Sequence, residues 1–168
     1  MNVVGLDLSL TATGYADGTG AVVLVPARGL VGIPRLEHIL EKIRQRADEW
    51  PSTTVVVVEG YGFHSQKAVA LGELGGVVRL FLHTEGHAWV DVAPAMLKKF
   101  ATGKGNARKP EMLDAAIRRW AYEGPADDNA VDAYLLRCMG LVQYTRQHAP
   151  GYAYEAIEKI AWPEPVSA

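Results

Sequence analysis

Apolar positions along this chain follow two rhythms, and they divide it into strands and helices. Val3 to Leu8 is an apolar run broken once, by Asp7. Beyond the turn Leu10-Thr-Ala-Thr-Gly14, the segments Tyr15 to Asp17 and Ala21 to Val25 flank Asp17-Gly-Thr-Gly20, a hairpin signal. Three antiparallel strands are predicted there. From Pro34, whose fixed φ suits a first helical turn, Leu36, Ile39, Leu40, Ile43, Ala47 and Trp50 recur at helical spacing, with charges on the other face and Pro51 as the stop. Thr53 to Val58 is β-branched throughout. Such a run without alternation predicts a strand covered on both faces, ending at Glu59-Gly60.

A second helix is predicted from about Gln66 to Thr84. Gly72, Gly75 and Gly76 lie inside it, each unfavourable by ~1 kcal/mol relative to Ala, which points to a close helix–helix or subunit contact. Ala88 to Val92 reads as a strand, and Pro94 to about Phe100 as a short helix. A Gly/Lys loop spans Thr102 to Lys109, then helices run from Pro110 to about Tyr122 and from Asp127 to about Thr145. The tail, 146–168, holds a short helical piece around Tyr154 to Ile160. Strands, helix, strand, helix, strand, helices in that order make an α/β mixed sheet with helices on both faces, in a domain covering 1–145.

Four acids stand where solvated charge does not belong. Asp7 breaks an apolar strand, and Glu59 closes a covered one. Asp128 and Asp132 open a helix that is otherwise apolar nearly all round. As i and i+4 they leave one helix face. Buried carboxylates must be paired or hydrogen-bonded. Asp127 suits a helix cap, Asp128 a second cap, but Asp132 lies too deep for that role. Two neighbouring strands and a helix end packed on them can gather all four acids. A gathered set raises its own pKa values unless divalent cations occupy it, and hard oxygen donors select Mg²⁺ or Mn²⁺. Two such ions would serve phosphodiester hydrolysis.

Net charge is −2 in 168 residues, which runs against a nucleic-acid partner until the charges are located. Lys98, Lys99, Lys104, Arg108, Lys109, Arg118 and Arg119 fall in one stretch that holds only Glu111 and Asp114 as acids. The glycines of 103–109 let backbone N–H groups approach a phosphate beside Lys104, Asn106, Arg108 and Lys109. Lys98 and Lys99 are weaker candidates, because adjacent helical lysines cannot both face DNA. Tyr61 and Phe63 follow Glu59 in a Gly-rich turn and suit base stacking; Lys67 sits near Phe63. Ser9 and Thr13 serve either the turn or the site. The five histidines show no ligand spacing, with His64 placed at a site edge. Cys138 stands alone, so no internal disulfide forms, and a reducing cytosol fits. No run is long enough to span a bilayer, and Met1 to Leu10 does not read as a signal peptide.

The ordered set of motifs resembles the RuvC-type Holliday junction resolvases. Val4-Gly-Leu-Asp7-Leu-Ser9-Leu-Thr-Ala-Thr-Gly14-Tyr15 resembles their opening strand and turn, and Val57-Val-Glu59 their second acidic strand. Leu71-Gly72 with Gly75-Gly76-Val77 looks like their dimer-contact helix. Gly103-Lys-Gly-Asn-Ala-Arg-Lys109 resembles their basic loop, and Asp127-Asp-Asn-Ala-Val-Asp132-Ala133 their closing acidic helix. The resemblance covers about residues 3 to 142. It implies an RNase H-like fold, a homodimer, two Mg²⁺ ions (Mn²⁺ as substitute) and paired nicks across a four-way junction, in recombination and repair. Asp7, Glu59, Asp128 and Asp132 would hold the metals, Lys109 would stand near the scissile phosphate, and either Phe63 or Tyr61 would wedge into the junction. Members often space the last two acids by three, so Asp127, Asp128 and Asn129 all stay open as the fourth ligand. A bacterial cytoplasm, or that of a phage-infected host, is the expected location. Rival readings are a nuclease for flaps or forks, a non-catalytic DNA-binding module on the same fold, and an actin-like ATPase-type nucleotide binder.

Overall fold

A computed structural model describes residues 1–60 and 68–164. Five strands form one mixed sheet: β1 (Val3–Asp7), β2 (Thr13–Asp17), β3 (Gly20–Leu24), β4 (Val55–Glu59) and β5 (Ala88–Val92), in spatial order β3-β2-β1-β4-β5. The first three are antiparallel, while β1, β4 and β5 run parallel. This is the mixed five-stranded sheet expected. Helices α1 (Gly32–Ala47) and α2 (Ala68–Thr84) fill the connections between parallel strands. They are followed by α3 (Pro94–Thr102), α4 (Lys109–Trp120), α5 (Asp128–Thr145) and α6 (Gly151–Ile157).

Side-chain alternation sorts the strand residues between two cores. Val3, Ala16, Val57, Val90 and Val92 pack with α3, α4, α5 and α6, whereas Val4, Leu6, Tyr15, Val56 and Val58 pack with α1 and α2. The four valines of β4 are all buried, the result of cover on both faces. Residues 3, 5 and 7 of β1 therefore share the α5 face. Glycine occupies that face where α5 passes closest. A Cβ on Gly5 would sit 1.9 Å from the Ala133 carbonyl oxygen, and one on Gly14 would sit 1.9 Å from that of Asn129. The first turns of α5 thus lie directly on β1 and β2.

Element ends depart from the expected ones by small steps. Helix α1 starts two residues before Pro34, and the last helix begins at Gly151, behind Pro150, rather than at Tyr154. That last helix packs on α3, burying Ala153, Ala156 and Ile157, so 146–164 contributes to the core beneath α3. Gly72 and Gly76 meet no other part of the described chain, since a Cβ on either would enter open space. Among the described residues these two make no such contact, whereas Gly75 is buried.

Candidate active site

The parallel strands β1 and β4 run in register, Gly5 opposite Val57 and Leu6 opposite Val58. Their last residues, Asp7 and Glu59, therefore emerge side by side at one end of the sheet. Asp7 is 7% exposed, and its carboxyl is hydrogen-bonded to that of Glu59. Two carboxyl groups packed this closely and out of water favour the protonated form. Burial first, then the Glu59 charge and that hydrogen bond, and then Asp132 and Asp127, push Asp7 up to about 9. Burial also raises Glu59, against the opposing pull of the Asp7 hydrogen bond and of Lys98.

Helix α5 brings its acids to the same place. Asp127 is the N-cap, its Oδ1 accepting from the backbone N–H of Asn129 at 2.9 Å and of Ala130 at 3.2 Å. Asp128 is no second cap; it pairs with the ammonium of Lys109. Asp132 lies one turn further in. Burial, followed by the charges of Glu59 and Asp128, raises its carboxyl to about 7. Asp7, Glu59, Asp128 and Asp132 all line one cleft of about 420 Å³, together with Asn129, Ser9 and Arg35. A second hollow of about 500 Å³ adjoins it across Glu59, Asp128, Asp132 and Lys109.

Among the described residues, no three carboxylates, histidines or cysteines stand close enough to grip one ion as the side chains lie. Asp128 is paired with Lys109, and Asp7 lies against Glu59. The donor set nevertheless fits a hard divalent cation. Four carboxylates share a cleft, burial and mutual repulsion raise Asp7 and Asp132, and Lys98 and Lys109 offset that only in part. Asp7, Glu59, Asp132 and either Asp128 or Asn129 would hold such an ion.

The basic residues divide between the cleft and other duties. Arg108, Asn106 and Lys109 line the 500 Å³ hollow. Lys104 does not; it is exposed and paired with Glu111 at 3.3 Å. Of the two neighbouring lysines, Lys98 faces the acids although the sequence does not separate them. It lines the hollow beside Glu59, while its neighbour Lys99 turns away to Glu155 at 2.8 Å. The packing of Leu97 and Phe100 into the core decides which lysine faces the acids, and the positions of those two apolar residues were the available signal. Arg35 was not foreseen either. Its Nε donates to the Leu30 carbonyl at 2.6 Å, and the residue lines the cleft opposite α5. Thr13 serves the turn, its hydroxyl donating to the Ser9 carbonyl at 2.8 Å. Tyr61, Phe63, His64 and Lys67 lie outside the described residues.

No family model matches the chain. The crossover junction endodeoxyribonuclease RuvC of Synechococcus sp. (strain WH7803) is 28% identical over 153 residues, covering 85% of this chain and 99% of that protein. The RuvC of Prochlorococcus marinus (strain MIT 9303) is 26% identical over the same spans. The chain is homologous to RuvC-type resolvases. The solved RuvC of Thermus thermophilus superposes with a TM-score of 0.68 at 20% identity, over 89% of this chain and 99% of that one. The same enzyme in complex with a Holliday junction substrate superposes with a TM-score of 0.65 at 18% identity. The fold is thus the RNase H-like fold of RuvC.

The raised carboxyls have a consequence for stability. A group that holds its proton more tightly folded than unfolded makes the native state the better proton binder, so stability falls as pH rises toward the folded pKa. Asp7 lowers stability progressively from its unfolded value of 3.8 up to about 9. Without metal, melting temperature is expected to fall across the upper part of that interval, from about pH 7 to pH 9, which lies above the range where His87 or the lowered acids Asp17, Glu111 and Glu155 titrate. Metal binding displaces those protons. Millimolar Mg²⁺ should therefore raise the melting temperature more at about pH 9 than at pH 7. Equal rises at both, or none, in a thermal-shift titration would count against the carboxyl cluster as the ion's seat.

Proposed function

We propose that this chain is a Mg²⁺-dependent, structure-specific endonuclease that resolves four-way DNA junctions by paired symmetric nicks. The observation that carries this reading is the arrival of Asp7, Glu59, Asp128 and Asp132, from β1, β4 and α5, in one cleft that Lys109 also lines, with Lys98 and Arg108 in the adjoining hollow. Those four acids would hold two Mg²⁺ ions, with Mn²⁺ as a substitute. Such ions, when bound, supply a nucleophilic water and neutralise charge on the leaving oxygen.

The chain's own residues do the rest. Lys98 and Lys109 draw the phosphodiester toward the acids and offset its charge. Asn106, Arg108 and Lys104 hold the flanking backbone, and Tyr61, Phe63 and Lys67 extend that contact from the segment after Glu59. The reading includes a homodimer, because two nicks on opposite strands need two clefts. Exposed Val69, Gly76 and Leu80 with half-exposed Gly72 form a stripe along α2 that suits a second copy. No helix among the described residues is long and apolar enough to cross a membrane, and a bacterial or phage-infected host cytoplasm is the proposed location.

The test is incubation with a synthetic four-way junction, a flap and a linear duplex, in Mg²⁺ and in EDTA. Symmetric nicks on the junction alone, lost in EDTA, are expected. Cutting of flaps but not junctions would move the substrate elsewhere among branched DNAs. Binding without cutting under every condition would leave a DNA-binding module. Tight ATP binding without DNA affinity would favour the nucleotide-binding rival.

A further inference from the structure

The connection from β3 to α1 leaves apolar side chains in water, and it has no part in the reading above. Val31 is 68% exposed and Ile33 71%, and Val25 and Pro34 are exposed as well. Single exposed apolar residues are ordinary on a protein surface, but here three fall within the four positions Val31-Gly-Ile33-Pro34. Gly29 and Gly32, at φ +83° and +56°, bend the chain to either side of Val31. The same segment is free of acids. Between Asp17 and Glu37 the only charged residues are Arg28 and Arg35. Among the described residues no acid forms an ion pair with either. Arg35 ties the segment to the acids. Its Nε holds the Leu30 carbonyl, while the residue lines the cleft with Ser9, Leu10 and Thr11. The turn carrying Val31 and Ile33 therefore stands on the cleft's rim.

We propose that Arg28, Val31 and Ile33, with Arg35 behind them, form a second DNA-contact surface that seats in the minor groove of a junction arm leaving the cleft. The inference rests on the endonuclease reading and adds to it an arm contact outside the acids. A minor groove presents phosphates along both rims and apolar sugar edges within. Arginines flanking aliphatic side chains match both features. A second copy of this chain fits less well. An isologous contact would bring two arginine-bearing, acid-free segments together, like charge against like. The α2 stripe, Val69, Gly72, Gly76 and Leu80, offers a second copy a face without that conflict. DNA is also the partner that the position favours, because a strand held over the acids continues past Arg35 onto this rim.

The experiment is four-way junction binding by fluorescence anisotropy across a salt series, with Ca²⁺ in place of Mg²⁺. It compares the parent with Arg28→Gln and with a double variant, Val31→Ser plus Ile33→Ser. The altered side chains are all exposed, so melting temperatures should match the parent's. Arg28→Gln should weaken binding and lower the slope of log affinity against log salt by about one. The double variant should bind about five-fold more weakly at an unchanged slope, because sugar contacts release no counterions. Hydroxyl-radical footprinting reads the location. The parent should protect sugars across the minor groove of one arm, and both variants should lose that protection while keeping it at the exchange point. Parental affinity, slope and footprint in both variants would overturn the arm contact and leave the endonuclease reading intact. A double variant that sediments as monomer where the parent is a dimer, with its arm footprint unchanged, would give the segment to a second copy and overturn the proposal as well. No junction binding by the parent would overturn both readings.

Discussion

Asp7→Asn is expected to yield a folded protein that still binds four-way junctions and cuts them at least about a thousand-fold more slowly in Mg²⁺. Loss of a residue that merely orients a metal ligand lowers activity about 10- to 100-fold, and loss of a ligand should exceed that. Asp7 is the most enclosed of the four acids, joined to Glu59 and in the field of Asp132. Asn is nearly the same size and keeps a hydrogen-bonding oxygen, but it neither carries charge nor shares a titrating proton. The metal-free variant should therefore be at least as stable as the parent above neutral pH, because one source of repulsion has gone. A pKa displacement is worth about 1.4 kcal/mol per unit, and each kcal/mol moves the melting temperature of a domain this size by ~2–4 °C. So even partial relief should be measurable. The Mg²⁺-induced rise in melting temperature should shrink in the same variant. Three readouts thus bear on one residue: cleavage rate, apo stability and metal response. A variant that cuts within a few-fold of the parent would end the catalytic assignment of Asp7. One that loses cutting because it no longer folds would show a lowered melting temperature, the opposite of the expected sign.

Gly5→Ala should damage both the fold and the site, although Gly5 carries no chemistry. The added methyl would stand 1.9 Å from the Ala133 carbonyl oxygen and 2.8 Å from the Arg137 amide nitrogen. Both are backbone atoms of α5, so no side chain can rotate out of the way. The helix must lift from β1. Overpacking in a core is unfavourable by typically ~1–3 kcal/mol and occasionally more; contact with helix backbone belongs at the top of that range. A fall of about 10 °C in melting temperature follows. Because α5 carries Asp128 and Asp132, the same lift moves them away from Asp7 and Glu59. A displacement of about 1 Å can reduce catalysis roughly 100-fold. Gly14→Ala should behave alike, through the Asn129 carbonyl. Thermal denaturation alongside junction cleavage checks both. Near-parental melting and cutting in either variant would show that α5 is not held at its working height by a glycine seat.

These two expectations differ in how far the chain alone could have foreseen them. Asp7, Glu59 and Asp132 were legible because each violates a local pattern: charge inside an apolar strand, at the end of a covered strand, or deep in an apolar helix. The cap at Asp127 was legible for a similar reason, being a local bond between a side chain and the next turn. The seat at Gly5 and Gly14 was not, since nothing in β1 or β2 announces which helix will cross them. Lys98 and Lys99 are equivalent as neighbours in a sequence. Only the burial of Leu97 and Phe100 turns one to the acids and the other to Glu155.

What the amino-acid order determined by itself was the set of elements, the order of strands and the unusual acids, because hydrophobic rhythm and capping act over a few residues. What only the tertiary structure decided was approach. It turned Asp128 toward Lys109 and pressed α5 against glycine. It also packed α6 beneath α3 and opened a second hollow, with Lys98 and Arg108 on its wall, beside the carboxyls. These features depend on distances between segments far apart in the chain, and periodicity carries no information about such distances.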